Sequence, residues 1–250
     1  MKIAFCFLTY DTIVRYDIWN LFFENQDVNK YSVFIHPKNN ISFENYTFPY
    51  NITKNRIETI SKYNINIVKA TLRLLEEAFN KDSSITHFIF LSQSCIPLYS
   101  FDIMFNIITK FPFSVISSIN YNKKERYYQL SNLIKKYISY NQFIKQQPNM
   151  ILIREDVEYL IKNNYTDFFK NMICPDEHYF VNILINLLKR KIIKKQVTFC
   201  NNDFSKTQAI EFNNVNKDFI KKIRNYGFLF MRKLNKNTYI DKDLLNLNIY

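Results

Sequence analysis

Glycine is all but missing. The 250-residue chain holds one, Gly227. Phosphate-cradling loops need several glycines so that backbone can approach the phosphate closely. One glycine therefore excludes both a dinucleotide fingerprint and a Walker P-loop. Tight turns fall instead to Asn and Asp, which tolerate the left-handed conformation. Histidine is scarce, at three residues, and the four cysteines Cys6, Cys95, Cys174 and Cys200 form no CxxC pair. A zinc site needs closer spacing with histidine support. Three of the four fall in or beside expected strands, so buried thiols are the reading, and no disulfide framework is visible. Long hydrophobic runs are absent too. The N-terminal MKIAFCFLTYD carries about seven apolar residues in a row, too few to span a bilayer. It also lacks the cleavage site of a signal peptide. A soluble, cytoplasmic protein without a transmembrane segment is expected.

What is present points to a globular protein. Apolar residues make up 47% of the chain, with 24 Phe and 18 Tyr, which excludes disorder. The excess of Asn, Lys, Ile, Tyr and Phe fits an AT-rich genome, such as a viral one. Lys plus Arg number 34 against 22 acids, a net charge of +12. Such an excess attracts nucleic acid, anionic lipid or phosphorylated small molecules. Nucleic-acid readers concentrate charge in a run or stripe. Here it is spread, with short clusters at Lys189–Lys195 and Lys221–Arg224, so lysine drift on a solvated surface explains most of it. No nucleic-acid partner is expected. No Gly/Ser or Pro-rich linker divides the chain, so residues 1–250 are read as one domain.

Strands and helices alternate. Ile3–Thr9 is a continuous apolar run, as in a buried strand. Asp17–Phe23 reads as a helix and Tyr31–His36 as a strand ended by Pro37. Residues 38–64 read as a long irregular connection. Ile65–Phe79 repeats Val68, Leu72, Leu75 and Phe79 at helical spacing. The strand His87–Leu91 runs into SQSCIP. A helix (Phe101–Thr109) and a strand (Phe113–Ile119) follow, and residues 120–145 give no clear pattern. Met150–Arg154 reads as a strand, Glu155–Asn163 as a helix, Gln196–Cys200 as a strand and Asp218–Arg224 as a short basic helix. Such alternation predicts an α/β fold with a mostly parallel central sheet flanked by helices. Ligands bind beyond the carboxyl ends of such strands. That singles out Thr9–Arg15, His36–Lys38, Ser92–Pro97 and Arg154.

One segment stands apart: Cys174-Pro175-Asp176-Glu177-His178-Tyr179-Phe180 puts two acids and a histidine together in a basic chain. Local physics offers a dull reading. Proline suits the first helical position, acids suit the positive end of the helix dipole, and FVNILINLLKRKIIKK continues as a helix ending in cations. The other reading makes one carboxylate a general base. Local pattern alone leaves both open.

Four segments in order resemble one family. FLTYD after the first strand, FIHP after the second, FLSQSCIPL after the third and PDEHYF further on are similar to the core 2/I-branching β-1,6-N-acetylglucosaminyltransferase family. The wording is nearest its plant-like branch, and the peptide xylosyltransferases are related. The C-terminal FLFMRKL resembles the family's closing motif. The resemblance implies a GT-A type nucleotide-sugar-binding fold and inverting, metal-independent transfer from a UDP-sugar to a hydroxyl of a glycan or glycoprotein acceptor. It implies that Glu177 is the base that deprotonates the acceptor. It implies that Arg232 and Lys233 hold the donor diphosphate and that Thr9 and His36 lie near uracil and ribose. Arg224, at the end of a basic helix, is read either as a second phosphate ligand or as a helix-end cation. Gln93, Ser94 and Asp176 fall on the sugar and acceptor side.

The residues are compatible with that chemistry. An inverting transfer needs one carboxylate to take a proton and positive charge on the departing diphosphate. Many enzymes of this kind hold a divalent metal on an Asp-X-Asp motif at a strand end. Here Ser92-Gln93-Ser94 stands at that place, without a carboxylate, so no metal cofactor is expected. Asp241-Lys242-Asp243 matches the motif by letters alone, outside any strand-to-loop setting. Without a metal, side chains must neutralise the leaving group, and Arg and Lys together suit a diphosphate. Read alone, Arg232 and Lys233 are better explained as a solvated pair, and Asp176 as a helix-start residue. There are departures. Tyr63-Asn64-Ile65-Asn66 lacks the family's tryptophan, and Lys145-Gln146-Gln147-Pro148-Asn149 replaces a plant motif of Gly, Ser, Gln and Trp. The membrane anchor usual in the family is also not expected here. Alternatives are a xylosyl- or glucuronosyltransferase of the same fold, or a degenerate, non-catalytic fold that binds RNA or acidic glycan.

Overall fold

A computed structural model describes residues 1–39, 44–59, 64–120, 124–201 and 209–241. The first half runs β1 (Lys2–Thr9), α1 (Tyr16–Phe23), β2 (Tyr31–Pro37), β3 (Tyr50–Ile52), α2 (Asn66–Lys81), β4 (Ile85–Ser92), β5 (Ile96–Pro97), α3 (Phe101–Ile108), β6 (Val115–Ile116) and β7 (Ile119–Asn120). The second half runs α4 (Lys124–Tyr128), α5 (Asn132–Lys135), β8 (Ile144–Lys145), β9 (Met150–Ile153), α6 (Arg154–Lys162), α7 (Tyr179–Asn182), β10 (Ile193–Lys194), β11 (Thr198–Cys200), β12 (Phe212–Val215), α8 (Lys217–Asn225), β13 (Phe230–Arg232) and β14 (Leu234–Ile240).

Seven strands form the main sheet, in the order β10-β6-β9-β4-β1-β2-β3. β1 pairs in parallel with β2 and β4, and β2 with β3. β9 runs antiparallel between β4 and β6. This is the mostly parallel α/β arrangement that the alternation predicts. Alternate residues of β1 enter two apolar clusters. Ile3, Phe5 and Phe7 pack with Trp19 on one side, and Ala4 and Cys6 pack with Leu75 on the other. Both faces are covered, which is why β1 reads as an unbroken apolar run and not as an alternation.

Trp19 links this core to the strand ends. Its ring is fully buried and meets Phe7 edge-on at 4.9 Å. Its indole N–H donates to the Cys95 carbonyl at 2.9 Å, which ties α1 to the loop after β4. Trp19→Ala should cost about 3–5 kcal/mol.

Several expectations change. In α2 the core face is Val68, Thr71, Leu74, Leu75 and Ala78, while Leu72 and Phe79 are half-buried at its flank. β3 interrupts the supposed irregular stretch 38–64. The expected strand Phe113–Ile119 is two short pieces, β6 and β7. The long helix expected after Pro175 does not form. A 3-10 turn (Pro175–Glu177), α7 and a π-helical turn (Ile183–Leu187) take its place, and the basic tail contributes β10. Tyr179, Phe180, Val181, Ile183 and Leu184 are all buried, so no amphipathic surface helix exists there. Lys189 then turns the chain with φ +54°. Left-handed residues include Asn25, as the scarcity of glycine predicts, but also Cys174 and Lys189.

The C-terminal part carries its own small sheets, β11-β13-β5 and β12-β14. Asn216 caps α8 by accepting the Phe219 N–H at 2.9 Å. Gly227 leaves that helix with φ +77°, where a Cβ would come within 2.9 Å of Lys195 Nζ. That turn feeds β13, which lies antiparallel to β5 with Met231 opposite Ile96. Arg232 is thereby delivered to the carboxyl end of β4. The cysteines are thiols, with Cys6 and Cys95 buried but Cys174 and Cys200 only half-buried. Among the described residues, no helix is long and apolar enough to cross a membrane.

Candidate active site

The carboxyl ends of β1, β2 and β4 share one edge of the main sheet. β9 runs the other way, so its first residues meet the same edge, with Met150 opposite Phe90. The loops at this edge are fastened to each other. Gln93 Oε1 accepts the Tyr10 N–H at 2.6 Å, and its carbonyl accepts the Val14 N–H at 2.9 Å. Ser94, 5% exposed, accepts the Leu234 N–H on its carbonyl at 3.2 Å. One loop therefore holds both the β1 loop and the start of β14. Gln93 fastens the β1 loop through both its side chain and its carbonyl, and Ser94 holds β14 through its carbonyl.

Glu177 lies in the 3-10 turn after Cys174, whose φ of +51° sets the turn off from the chain before it. His178, with φ −133°, separates the turn from α7. Asp176 and Glu177 are thus not the first turn of a continuous helix, and the dipole argument for them weakens. The Glu177 carboxylate pairs with Lys145 Nζ at 3.0 Å, with both side chains a little under one-third exposed. Below it, β8 is stitched to the acidic turn. The Gln146 N–H donates to the Glu177 carbonyl at 2.7 Å. Gln146 Oε1 accepts the Val181 N–H at 2.6 Å. Asn182 takes the Ile144 N–H at 3.0 Å and donates to the Ile144 carbonyl at 2.7 Å. His178 Nδ1 lies 3.0 Å from the same carbonyl. Its ring stacks on Phe143 at 4.6 Å, and burial lowers its pKa to about 4. His178 is therefore a neutral structural histidine.

Asp176 is half-buried. Burial first, then the neighbouring Glu177 charge, push its pKa up to about 7, and the Arg232 guanidinium opposes them. Two carboxyl groups and an arginine therefore share one field. Arg232 Nη1 donates to Asn149 Oδ1 at 3.4 Å, while its Nε is buried with no hydrogen-bond partner. Lys233 is half-buried, with Nζ 3.7 Å from Glu211.

The remaining expected residues sit less favourably. Thr9 is 4% exposed and donates its hydroxyl to the Asp11 carbonyl at 2.9 Å. His36 is fully buried. Its Nε2 accepts the Ile57 N–H at 3.0 Å, so the ring proton is on Nδ1, which has no partner. Burial also lowers the His36 pKa. Both residues close the ends of their strands and are packed beneath the edge. Arg224 is placed differently from Arg232 and Lys233. It is 4% exposed, donates to the Leu98 carbonyl and stacks 4.8 Å from the Tyr99 ring centroid. Its guanidinium anchors α8 beneath β5. Arg154 likewise spends its guanidinium on the Phe79, Asp82 and Ile85 carbonyls. Asp241 pairs with Lys217 at 3.5 Å, while Lys242 and Asp243, like Tyr63, lie outside the described residues. An open groove between α2 and α6, lined by Leu72, Arg73, Leu160 and Ile161 among others, holds none of the site residues.

The sequence model of the family described as Core-2/I-Branching enzyme matches residues 3–224.

The chain belongs to the core-2/I-branching family.

The match spans the strand-end loops and the acidic turn, and stops before Arg232 and Lys233. The rice (Oryza sativa subsp. japonica) protein named glycosyltransferase BC10 is 27% identical over 130 residues, which is 50% of this chain and 32% of that relative's length. Among solved structures, galactosyltransferase LgtC in complex with donor and acceptor sugar analogs overlays with a TM-score of 0.44 at 11% identity, over 77% of this chain and 72% of that one. Mannosyltransferase PcManGT from Pyrobaculum calidifontis, in complex with GDP-Man and Mn2+, overlays with a TM-score of 0.41 at 12% identity, over 78% and 54%. These overlays are loose.

Two of those residues have no counterpart among the sequence candidates: Lys145, paired with Glu177, and Asn149, bonded to Arg232. Their signal is faint but present. The polar run Lys145–Asn149 directly precedes the apolar strand β9, at an edge where ligands bind.

Proposed function

We propose that the chain is an inverting glycosyltransferase of the GT-A type that moves a sugar from a UDP-sugar to a hydroxyl of a glycan acceptor, without a divalent metal. The observation that carries this reading is the placement of opposite charges at the two ends of one short segment. Lys145 and Gln146 hold Glu177, and Asn149 holds Arg232. A proton acceptor and a cation at the carboxyl edge of a mostly parallel sheet are what a single displacement requires.

In this mechanism Glu177 takes the proton of the acceptor hydroxyl. The hydroxyl oxygen forms its bond to the anomeric carbon from the face opposite the diphosphate. The bond from that carbon to the diphosphate oxygen breaks, and UDP leaves with the electron pair. Arg232 and Lys233 neutralise the charge that grows on the departing oxygen. Arginine contributes a planar fork and lysine a point charge. Ser92-Gln93-Ser94 offers no carboxylate for a metal, so the cations of this chain carry that task.

The test is a thermal-shift panel with UDP, GDP and CMP, each with Mn2+ or with EDTA. UDP at about 100 times its dissociation constant should add about 2.7 kcal/mol, equally under both conditions. Loss of the UDP shift in EDTA overturns metal independence. A shift with GDP and none with UDP overturns the donor.

A further inference from the structure

Arginine is a useful diphosphate ligand only if its fork is held at the right angle, because its advantage over lysine is directional. Arg232 ends β13 and is half-buried. Its Nε is enclosed with no hydrogen-bond partner, so its orientation is fixed elsewhere along the guanidinium. The contact that does this is Asn149. This side chain is 4% exposed, and its two polar atoms have distinct tasks. Nδ2 donates to the Phe90 carbonyl at 3.2 Å, next to the end of β4, and to Cys95 Sγ at 3.4 Å. A carboxamide whose nitrogen is spent in this way must present its oxygen in the opposite direction. There Oδ1 meets Arg232 Nη1 at 3.4 Å. The backbone of Asn149 is also constrained. Pro148 precedes it, and the Gln147 N–H is fixed on Ser117 Oγ at 2.6 Å.

We infer that Asn149 is a positioning residue that aims the Arg232 guanidinium at the diphosphate of a nucleotide-sugar. The inference rests on the donor reading proposed above and adds to it a specific residue. Neutrality matters as much as geometry. Asparagine orients the arginine without cancelling its charge, whereas an aspartate at the same place would pair with the guanidinium and compete with the phosphate for it. It would also turn a lone pair, not an N–H, toward the Phe90 carbonyl.

The experiment compares the affinities of UDP and uridine, whose ratio reports the diphosphate contribution. It uses wild type, Asn149→Asp, Arg232→Ala and the double variant. Wild type should prefer UDP by about 10- to 100-fold, the range of one charge-assisted contact. Asn149→Asp should cut that preference by about ten-fold and leave uridine affinity within about three-fold. In the Arg232→Ala background the same substitution should change the preference no further, since residues that act through one contact are not additive. A purely structural Asn149 would lower the affinity for both ligands alike. Arg232→Lys keeps the charge but cannot be held in the same plane, and it should lose most of the preference even if Asn149→Asp does not fold. A wild-type preference that survives both Asn149→Asp and Arg232→Lys overturns the inference alone. A wild type that binds UDP no better than uridine overturns the donor reading and the inference with it.

Discussion

Lys145 Nζ lies 3.0 Å from Glu177 Oε2, on a strand whose next residue donates its N–H to the Glu177 carbonyl at 2.7 Å. The proposed base is thus held twice by one dipeptide, once through its backbone and once through its carboxylate. The ion pair takes one carboxylate oxygen and leaves the other for a hydroxyl. A partly exposed pair adds little to stability, about 0–1 kcal/mol, so its value is geometric. Lys145→Met should leave the melting temperature nearly unchanged and UDP affinity intact, yet lower turnover on the order of ten-fold through misplacement of the base. Lys145→Arg should recover most of that loss. Unchanged turnover in Lys145→Met would show that the pair is ornamental.

Glu177→Gln preserves the shape of the side chain and the backbone bond from Gln146, but it cannot accept a proton. It should fold, bind UDP normally and lose roughly 10²–10⁴ in turnover, the usual contribution of general-base catalysis. UDP release, from transfer or from slow donor hydrolysis, is the readout, with a melting curve alongside. Near-normal turnover would return the acidic turn to a purely structural role.

Arg232 and Lys233 are neighbours in sequence but not in setting. Arg232 is oriented by Asn149 and feels Asp176. Lys233 reaches toward Glu211 at 3.7 Å from a more open position. Arg232→Ala should therefore weaken UDP binding by about 1.5–3 kcal/mol, and Lys233→Ala by less, with uridine hardly affected in either case. Isothermal titration of the two ligands decides it. Equal losses for UDP and uridine would mark the pair as part of the scaffold.

Much of the edge was legible in the sequence because buried parallel strands leave long apolar runs, and FLTYD and FLSQSCIPL mark where those runs stop. PDEHYF stands out in the sequence because an acidic pair is conspicuous in a basic chain, but local pattern does not choose between a helix start and a general base. Other features were not legible. Lys145 and Asn149 derive their roles from partners far along the chain, such as Arg232, 83 positions away, and the polar run before β9 marks their place but not those partners. β5, β6, β7 and β8 are two residues each, too short for any periodicity. Arg224 sits on an amphipathic helix whose sequence looks like a surface, but the Leu98 carbonyl and the Tyr99 ring draw it inward. The segment after Pro175 misled because an apolar run with helical spacing is also what a fully buried, irregular turn looks like. Its residues pack on every side, so tertiary contacts and not helix propensity set its backbone.

Asp176 makes the stability of the protein depend on pH. Burial and the Glu177 charge raise its pKa to about 7 in the folded protein, against the pull of Arg232, whereas an unfolded aspartate titrates near 3.9. The folded state thus binds this proton more tightly than the unfolded state. The contribution is fully present below about pH 4 and is lost as pH rises through about 7, because ionising Asp176 in place costs free energy that ionising it in the unfolded chain does not. Asp176→Asn removes that titration. The difference in stability, wild type minus variant, should fall between about pH 4 and about pH 7 and level off above, with a slope of at most about 1.4 kcal/mol per pH unit. His178 works in the opposite direction: it is neutral in the folded protein down to about 4, so its contribution grows with pH over the same window. It is present in both proteins and cancels in the difference. Denaturant unfolding of the ligand-free protein across this range is the measurement. Parallel stability curves for the two proteins would mean that Asp176 ionises as freely in the fold as in the open chain, and that the field shared by Asp176, Glu177 and Arg232 is far weaker than their placement implies.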